Sequence, residues 1–167
     1  MKEIPLTQSQ KALVDDADFD WLTRWRWCAL HVRSRGKFYA VRMEKDGYGG
    51  RQLIYMHREI LGLKRGDPRM GDHIARSTLD NRRRNLRIAT PAQNVMNSRK
   101  RSNNSTGFTG IWEESPGRWK AHIGFQNKII RIGVFSGKLE AAKAYDKKAI
   151  ELHGQFASLN FPLGAVA

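Results

Sequence analysis

The chain has little cysteine and no long hydrophobic run. Cys28 is the one cysteine among 167 residues, which excludes disulfide bonds within the chain and zinc sites built from several cysteines. Between Trp27 and Ala29, it is expected to be a small core residue. No apolar stretch approaches the roughly 20 residues that a transmembrane helix needs, and residues 1–11 lack the apolar segment of a signal peptide. We therefore expect a protein that is not secreted and has no membrane partner.

Acidic residues are also scarce. The chain has 16 Asp and Glu against 30 Lys and Arg, and its formal charge is +14. From Asn81 to Trp112 no acidic residue occurs, whereas cations cluster there at Arg82, Arg83, Arg84, Arg87, Arg99, Lys100 and Arg101. Cations placed near phosphates release condensed counterions, so this clustering predicts a nucleic acid as partner. We expect these side chains to contact DNA.

The order of predicted strands and helices indicates an α+β protein with two domains. An aromatic-rich N-terminal region contains a predicted β-hairpin, with strands at 25–32 and 37–42 around a turn at Gly36, and a short helix follows at 56–63. The expected boundaries are 1–97 for the first domain, 98–106 for a basic linker, 107–162 for the second domain and 163–167 for a tail.

Two short strands and a helix are predicted in the middle of the chain. Residues 70–74 and 86–88 have the composition of strands, and the segment between them is polar. A helix starts behind them, with Thr90 at the N-cap, Pro91 at the first helical position and Gln93 closing a capping box. Asn94 therefore lies in the first turn of that helix.

The last region is predicted to hold a β-hairpin and one long helix. Apolar residues that are expected to face the core alternate with polar ones along 118–125, a tight turn follows at Gln126-Asn127, and the next strand is expected to turn Ile130, Ile132 and Val134 to the same side. The helix is predicted over 138–153, and its buried face is expected to carry Ala142, Tyr145, Ala149 and Leu152.

Four residues in the middle region suit the cleavage of a phosphodiester. A divalent ion can stabilise the charge on the leaving oxygen, and Asp72 offers the hard anionic ligand that Mg²⁺ prefers, with Asn94 as a neutral oxygen ligand. His73 could take a proton from the attacking water, and the Asn85 amide could hold the loop. Successive side chains of a strand point to opposite faces, so Asp72 and His73 can serve one site only if the strand ends or bends there.

Each of these residues alone is a weak signal. An Asp-His pair is more often an exposed turn, Asn85 a turn residue and Asn94 an exposed helix residue. The joint order and spacing, with a capped helix behind it, carry the hypothesis. His57 is a second candidate near the site, with a partly exposed helix histidine as the alternative.

This pattern resembles the HNH family of homing and phage endonucleases, in the subgroup whose last histidine is replaced by asparagine. The residues that carry the resemblance are Asp72-His73, Leu79-Asp80-Asn81, Asn85-Leu86-Arg87 and Gln93-Asn94. The resemblance implies a ββα-metal fold, with Asp72 and Asn94 as metal ligands, His73 as general base and Asn85 as the loop-fixing residue. Mg²⁺ is the expected metal, and Mn²⁺ is expected to support activity as well. Where members commonly have a bulky apolar residue before the Asp-His pair, this chain has Gly71.

The C-terminal region resembles the APETALA-type, ethylene-response-factor (ERF) DNA-binding domain. The matching residues are Gly110-Ile111, Arg118-Trp119-Lys120-Ala121, Ile132-Gly133-Val134-Phe135, Ala141-Ala142, Ala144-Tyr145-Asp146 and Leu159-Asn160-Phe161-Pro162. The resemblance implies a three-stranded antiparallel sheet packed on one helix, with the outer face of the sheet in the major groove. On that face we expect DNA contacts from Arg118, Lys120, His122 and Arg131. Trp112 and Glu114 stand where plant members usually carry base-reading arginines, so a looser recognition is expected.

These observations together predict a metal-dependent DNA endonuclease of the homing type, encoded by a phage or mobile element. One catalytic centre per chain favours nicking of duplex DNA, and a monomer is expected, with a dimer as the alternative. The protein is expected in the cytoplasm of a bacterial host, bound to the nucleoid. The main alternative is a regulatory DNA-binding protein without catalytic activity, and a weaker one is an RNA-binding module.

Overall fold

The computed structural model describes residues 1–47, 49–96 and 104–161. The chain divides into two compact units, residues 1–91 and 92–167. Short helices and antiparallel sheets make up the described residues, so the predicted α+β class is confirmed. No helix in these ranges is long and apolar enough to cross a bilayer. The predicted linker residues 98–103 and the tail 163–167 lie outside the described residues.

The first unit is built from three small antiparallel sheets. They are a hairpin of β1 (Lys2–Pro5) and β2 (Lys11–Val14), a sheet of β3 (Cys28–Val32), β4 (Lys37–Lys45) and β5 (Arg51–Tyr55), and a hairpin of β6 (Met70–His73) and β7 (Leu86–Ala89). Two short helices connect them, α1 (Asp16–Leu22) and α2 (Met56–Ile60). A third helix, α3 (Pro91–Met96), begins at the last residue of this unit.

One apolar core joins the elements of the first unit. Its buried members include Val14 from β2, Leu22 at the end of α1, Trp27, and Met56 at the start of α2. Burial of a large apolar side chain stabilises the folded state by about 1.5–3 kcal/mol relative to exposure, so this core sets the position of both hairpins. Cys28 was expected to be buried in the core, but it is exposed. It starts β3 between the buried Trp27 and Ala29, and alternate residues of a strand point to opposite faces.

The second unit is a three-stranded antiparallel sheet that packs on one helix. The strands β8 (Ile111–Ser115), β9 (Arg118–Phe125) and β10 (Lys128–Phe135) have the spatial order β10-β9-β8. The predicted helix is confirmed at both ends as α4 (Lys138–His153), and Ala142, Tyr145 and Ala149 are buried against the sheet. Both residues of the predicted turn Gln126-Asn127 have positive φ, which suits the twist of a two-residue hairpin.

The strand β10 carries an irregularity that the sequence did not indicate. Arg131 pairs with His122, but the next paired residue is Gly133, opposite Ala121. Ile132 is thus an extra residue in the ladder, and the residues after it change faces. Val134, predicted to face the core, lies opposite Lys120 on the outer face and is 42% exposed.

Candidate active site

The strand β6 ends at His73, immediately after Asp72. Asp72 pairs with Arg87 of β7, and His73 pairs with Leu86. Beyond His73 the chain turns away, because the Arg76 N–H donates to the His73 carbonyl over 2.9 Å. His73 is thus the last residue of β6, and both residues are still paired with β7, so their side chains leave the strand on opposite faces at its end. Arg76 has a φ of 60°, a left-handed conformation that usually favours glycine, in a loop without glycine.

The Asn85 side chain ties together the loop between β6 and β7. Its amide oxygen accepts a hydrogen bond from the Ala75 N–H at 2.8 Å, and its amide nitrogen donates to the carbonyls of Asp80 at 2.7 Å and Ser77 at 3.3 Å. The Asn85 carbonyl also accepts from the Ile74 N–H. A buried amide with all these partners fixes the path of residues 74–85, the arrangement that a loop-fixing residue needs.

His73 lies buried beneath this loop. Its Nε2 atom is 3.3 Å from Oδ1 of Asn81, and the Asn81 amide nitrogen donates to the Leu79 carbonyl. In this orientation the Asn81 oxygen faces the ring, which favours the tautomer that carries the proton on Nε2. Burial lowers the pKa of His73 below its ordinary value, and the Asn81 hydrogen bond opposes that shift. The imidazole is therefore neutral near pH 7 and chemically able to accept a proton.

His57 packs directly against His73. The two ring centroids are 4.8 Å apart in an edge-to-face arrangement, and Tyr39 and Tyr55 surround them. From the sequence, the alternative for His57 was a partly exposed helix histidine. In the structure His57 is buried, so this alternative is wrong. Burial lowers the pKa of His57 to about 3, with the nearby His73 as a further cause. Gly71 makes room for this ring, because a Cβ there would be 2.5 Å from Cδ2 of His57.

The Asp72 carboxylate is paired with Arg87. The guanidinium donates from Nε at 2.8 Å and from Nη2 at 2.7 Å, both to Oδ2 of Asp72, and both side chains are nearly buried. Arg87 was predicted as a surface cation for DNA, but its position opposite Asp72 on β7 turns it to the carboxylate instead. Asp72 is a hard oxygen ligand that fits Mg²⁺. Within the described residues no group of three or more His, Cys, Asp or Glu is placed to hold a metal.

Asn94 lies in helix α3, as predicted. The boundary between the two compact units falls after Pro91, so Asn94 groups with the second unit. Its role as a metal ligand beside Asp72 stays a prediction.

The arginines that follow the loop differ in their surroundings. Arg82 is bound to Asp80, and Arg83 donates to Asp18 over 2.8 Å, so two of these predicted DNA contacts have acidic partners. Arg84 is exposed and makes no hydrogen bond or ion pair with any residue that the structure describes. Arg99, Lys100 and Arg101 lie outside the described residues.

The predicted DNA-contacting cations of the second unit share one acidic neighbour. Glu114 of β8 forms an ion pair with Arg118 at 2.8 Å and another with Lys120. Arg131 is exposed on the same face and has no ion pair within the described part of the chain. His122 packs edge-to-face against Trp112, with centroids 4.4 Å apart, and burial lowers the pKa of its ring. His122 is therefore a neutral group on this face and not a cation.

Sequence reasoning missed the support of the loop by the N-terminal hairpin. The Leu13 N–H donates to the Leu79 carbonyl and the Asn81 N–H donates to the Leu13 carbonyl, both at 2.8 Å. Asn81, which orients His73, is thus held by β2. The sequence of 11–14, one lysine followed by three apolar residues, has no alternation of polar and apolar residues from which a strand could be identified.

No protein-family model matches the chain. An uncharacterized HNH endonuclease of Acanthamoeba polyphaga mimivirus is 35% identical over 89 residues, which are 53% of this chain and 46% of the viral protein. An APETALA2-like protein of Oryza sativa is 41% identical over 59 residues, 34% of this chain and 14% of the rice protein. An ethylene-responsive transcription factor of Medicago truncatula is 31% identical over 85 residues, 50% of this chain and 32% of the plant protein.

These similarities confirm both parts of the resemblance. The chain combines similarity to an HNH endonuclease with similarity to APETALA/ERF proteins. It spans less than half the length of each of these three relatives.

Proposed function

We propose that the protein is a metal-dependent endonuclease of the homing type that nicks duplex DNA. The observation that carries the proposal is the junction of β6 with its loop. There Asp72 and His73 end a strand, and Asn85 holds the loop that follows them. The viral relative is named as an HNH endonuclease, which supports the same reaction class. A phage or mobile element is the proposed source and the bacterial cytoplasm the proposed location.

The chemistry assigns one task to each residue. Water adds to phosphorus while the bond to the leaving oxygen breaks, and Nδ1 of neutral His73 takes the proton of that water. The Asn81 oxygen favours the tautomer with the proton on Nε2, in which Nδ1 is the basic atom. Asp72 and Asn94 are the residues proposed to hold Mg²⁺ or Mn²⁺, which when bound stabilises the charge on the leaving oxygen. The leaving oxygen takes a proton from solvent.

The second unit is proposed to hold the duplex for cleavage. Its similarity to APETALA/ERF proteins and its exposed sheet face support this role. The chain carries a charge of +14, which favours association with the DNA backbone. One site per chain favours a single-strand cut by a monomer.

A second candidate function is DNA binding without cleavage. It is favoured by the pairing of Asp72 with Arg87, which competes with a metal, and by the burial of His73, which limits access of water to the ring. In that case the β6–β7 hairpin would serve only as a scaffold.

Incubation with supercoiled plasmid separates the two candidates. The purified chain is mixed with plasmid in Mg²⁺, in Mn²⁺ and in EDTA, and the products are resolved on a gel. Open circles that need metal support nicking, and linear product as the first species would instead indicate paired cuts. Slower migration of the plasmid, which shows that the protein binds it, without any cleavage on several DNA sequences would support the binding-only candidate.

A further inference from the structure

The outer face of the second sheet is apolar where a DNA reader usually presents cations. Trp112, Ile129 and Val134 are all exposed on it, Ile129 by 77%. The pairing register places Trp112 and Val134 on either side of Lys120, because both lie directly opposite it, whereas Ile129 lies opposite Gly124. The irregularity at Ile132 is what turns Val134 outward.

Two of the cations on this face are held by an acidic neighbour. Glu114 forms ion pairs with Arg118 and Lys120, and the neutral His122 packs edge-to-face against Trp112. Arg131 remains as an exposed cation beside Ile129 on the same strand. Exposed apolar side chains next to a cation fit a DNA groove in which methyl groups lie between phosphates, because the apolar side chains can contact the methyl groups and the cation a phosphate. In the major groove of DNA the only such group on an unmodified base is the C5-methyl of thymine.

We propose that Ile129 and Val134 read thymine methyl groups in the major groove. This inference rests on the proposed function, since it assumes that the second unit binds duplex DNA through this face. Ile129 lies opposite Gly124 and Val134 opposite Lys120, four residues apart on β9. That separation is roughly 13 Å, or about four base-pair steps at 3.4 Å per step. Gly124 has open space above its Cα, so the sheet admits a base edge beside Ile129.

The proposal is tested with DNA that lacks only the C5-methyl groups of thymine. Binding of the full chain in EDTA is measured on duplexes of equal length with alternating dA-dT, dA-dU, dG-dC and dG-5-methyl-dC. Loss of one buried methyl weakens binding about fourfold, so contacts by two side chains predict about 15-fold weaker binding to dA-dU than to dA-dT. The methylated dG duplex is expected to bind more tightly than its unmethylated form, which excludes an effect of dA-dU geometry.

The variant Ile129→Ala/Val134→Ala is expected to bind dA-dT and dA-dU equally. Leu139→Ala is the matched control, because Leu139 is an exposed apolar residue of the same unit on helix α4. Equal affinity of the wild type for methylated and unmethylated duplexes overturns this inference and leaves the proposed function intact. Failure to bind any duplex overturns both. A dimer in sedimentation that the double variant abolishes, with its DNA affinity unchanged, would show that this face binds a second copy instead.

Discussion

His57 occupies the space that a side chain at residue 71 would fill. A Cβ on Gly71 would be 2.5 Å from Cδ2 of His57 and 3.2 Å from Cδ1 of Leu61. Gly71 immediately precedes Asp72, so the missing side chain brings a second imidazole against His73. The unusual glycine before the Asp-His pair and the buried histidine of α2 thus form one complementary arrangement.

Gly71→Ala is expected to destabilise the first unit. Overpacking of a filled site costs about 1–3 kcal/mol, and the His57 ring must move to admit the methyl group. Gly124→Ala is the matched control, because nothing lies within 4 Å of a Cβ there, and its effect should stay within about 0.5 kcal/mol. Urea unfolding measures both. In a His57→Ala background the cost of Gly71→Ala should shrink, and an unchanged cost would show that the ring is not the obstacle.

The burial of His57 predicts a loss of stability in acid. The unfolded chain takes up a proton on this residue near pH 6.5, whereas the folded chain does so only near pH 3. The contribution of the buried neutral His57 to the free energy of unfolding is therefore complete above pH 6.5, and it is lost as the pH falls from 6.5 toward 3. One such group changes the free energy of unfolding by up to about 1.4 kcal/mol per pH unit.

The variant His57→Phe isolates this contribution, because it keeps a ring and cannot titrate. Unfolding of the first unit can be followed at pH 7 and pH 5 by the indole N–H resonance of the buried Trp27, which donates to the Leu22 carbonyl. The wild type should lose more stability than the variant between these two values. Equal losses would mean that His57 is protonated in the folded chain.

Replacement of Asn85 should loosen the loop over the site. Asn85→Ala removes one accepted and two donated hydrogen bonds, and it leaves the Ala75 N–H and the carbonyls of Ser77 and Asp80 without this partner. Unsatisfied buried groups cost about 1–3 kcal/mol each. Asn85→Asp keeps the acceptor and turns a second oxygen toward the two carbonyls, so it should be about as damaging. Hydrogen exchange of residues 74–85 reports the opening, and unchanged protection in both variants would contradict the role of the amide.

The ion pair between Asp72 and Arg87 should control the response to metal. Arg87→Met removes both guanidinium hydrogen bonds from a nearly buried carboxylate, and breaking such a buried ion pair costs about 3–5 kcal/mol in EDTA. Mg²⁺ should restore much of that loss by binding Asp72. Arg82→Met is the matched control, since it breaks a similar pair with Asp80 and should not be rescued. The measurement is the Tm with and without Mg²⁺, and equal rescue of both variants would exclude a specific site.

The sequence predicts those elements in which the pattern of polar and apolar residues extends over enough residues to show its period. Sixteen residues with small apolar side chains on one face specify α4 at both ends, whereas β1 and β2 have four residues each and were missed as strands. Val134 was placed on the wrong face because a single extra residue at Ile132 shifts the register, and strict alternation contains no sign of such a shift.

Partners across the fold were harder to predict than the site residues themselves. Asp72, His73 and Asn85 follow from their order along the chain. The pairing of Arg87 with Asp72 depends on the register of β6 with β7, and the contact of His57 with His73 depends on the docking of α2 against β6. Both are tertiary contacts that no local pattern encodes.

The most direct measurement is the rate of plasmid nicking by the wild type and by His73→Ala, with DNA binding measured on the same samples. The account predicts that the wild type forms open circles in Mg²⁺ and that His73→Ala binds DNA equally but nicks at least about 100-fold more slowly. Nicking by His73→Ala at the wild-type rate, with retained binding, would contradict the assignment of His73 as the base at the end of β6.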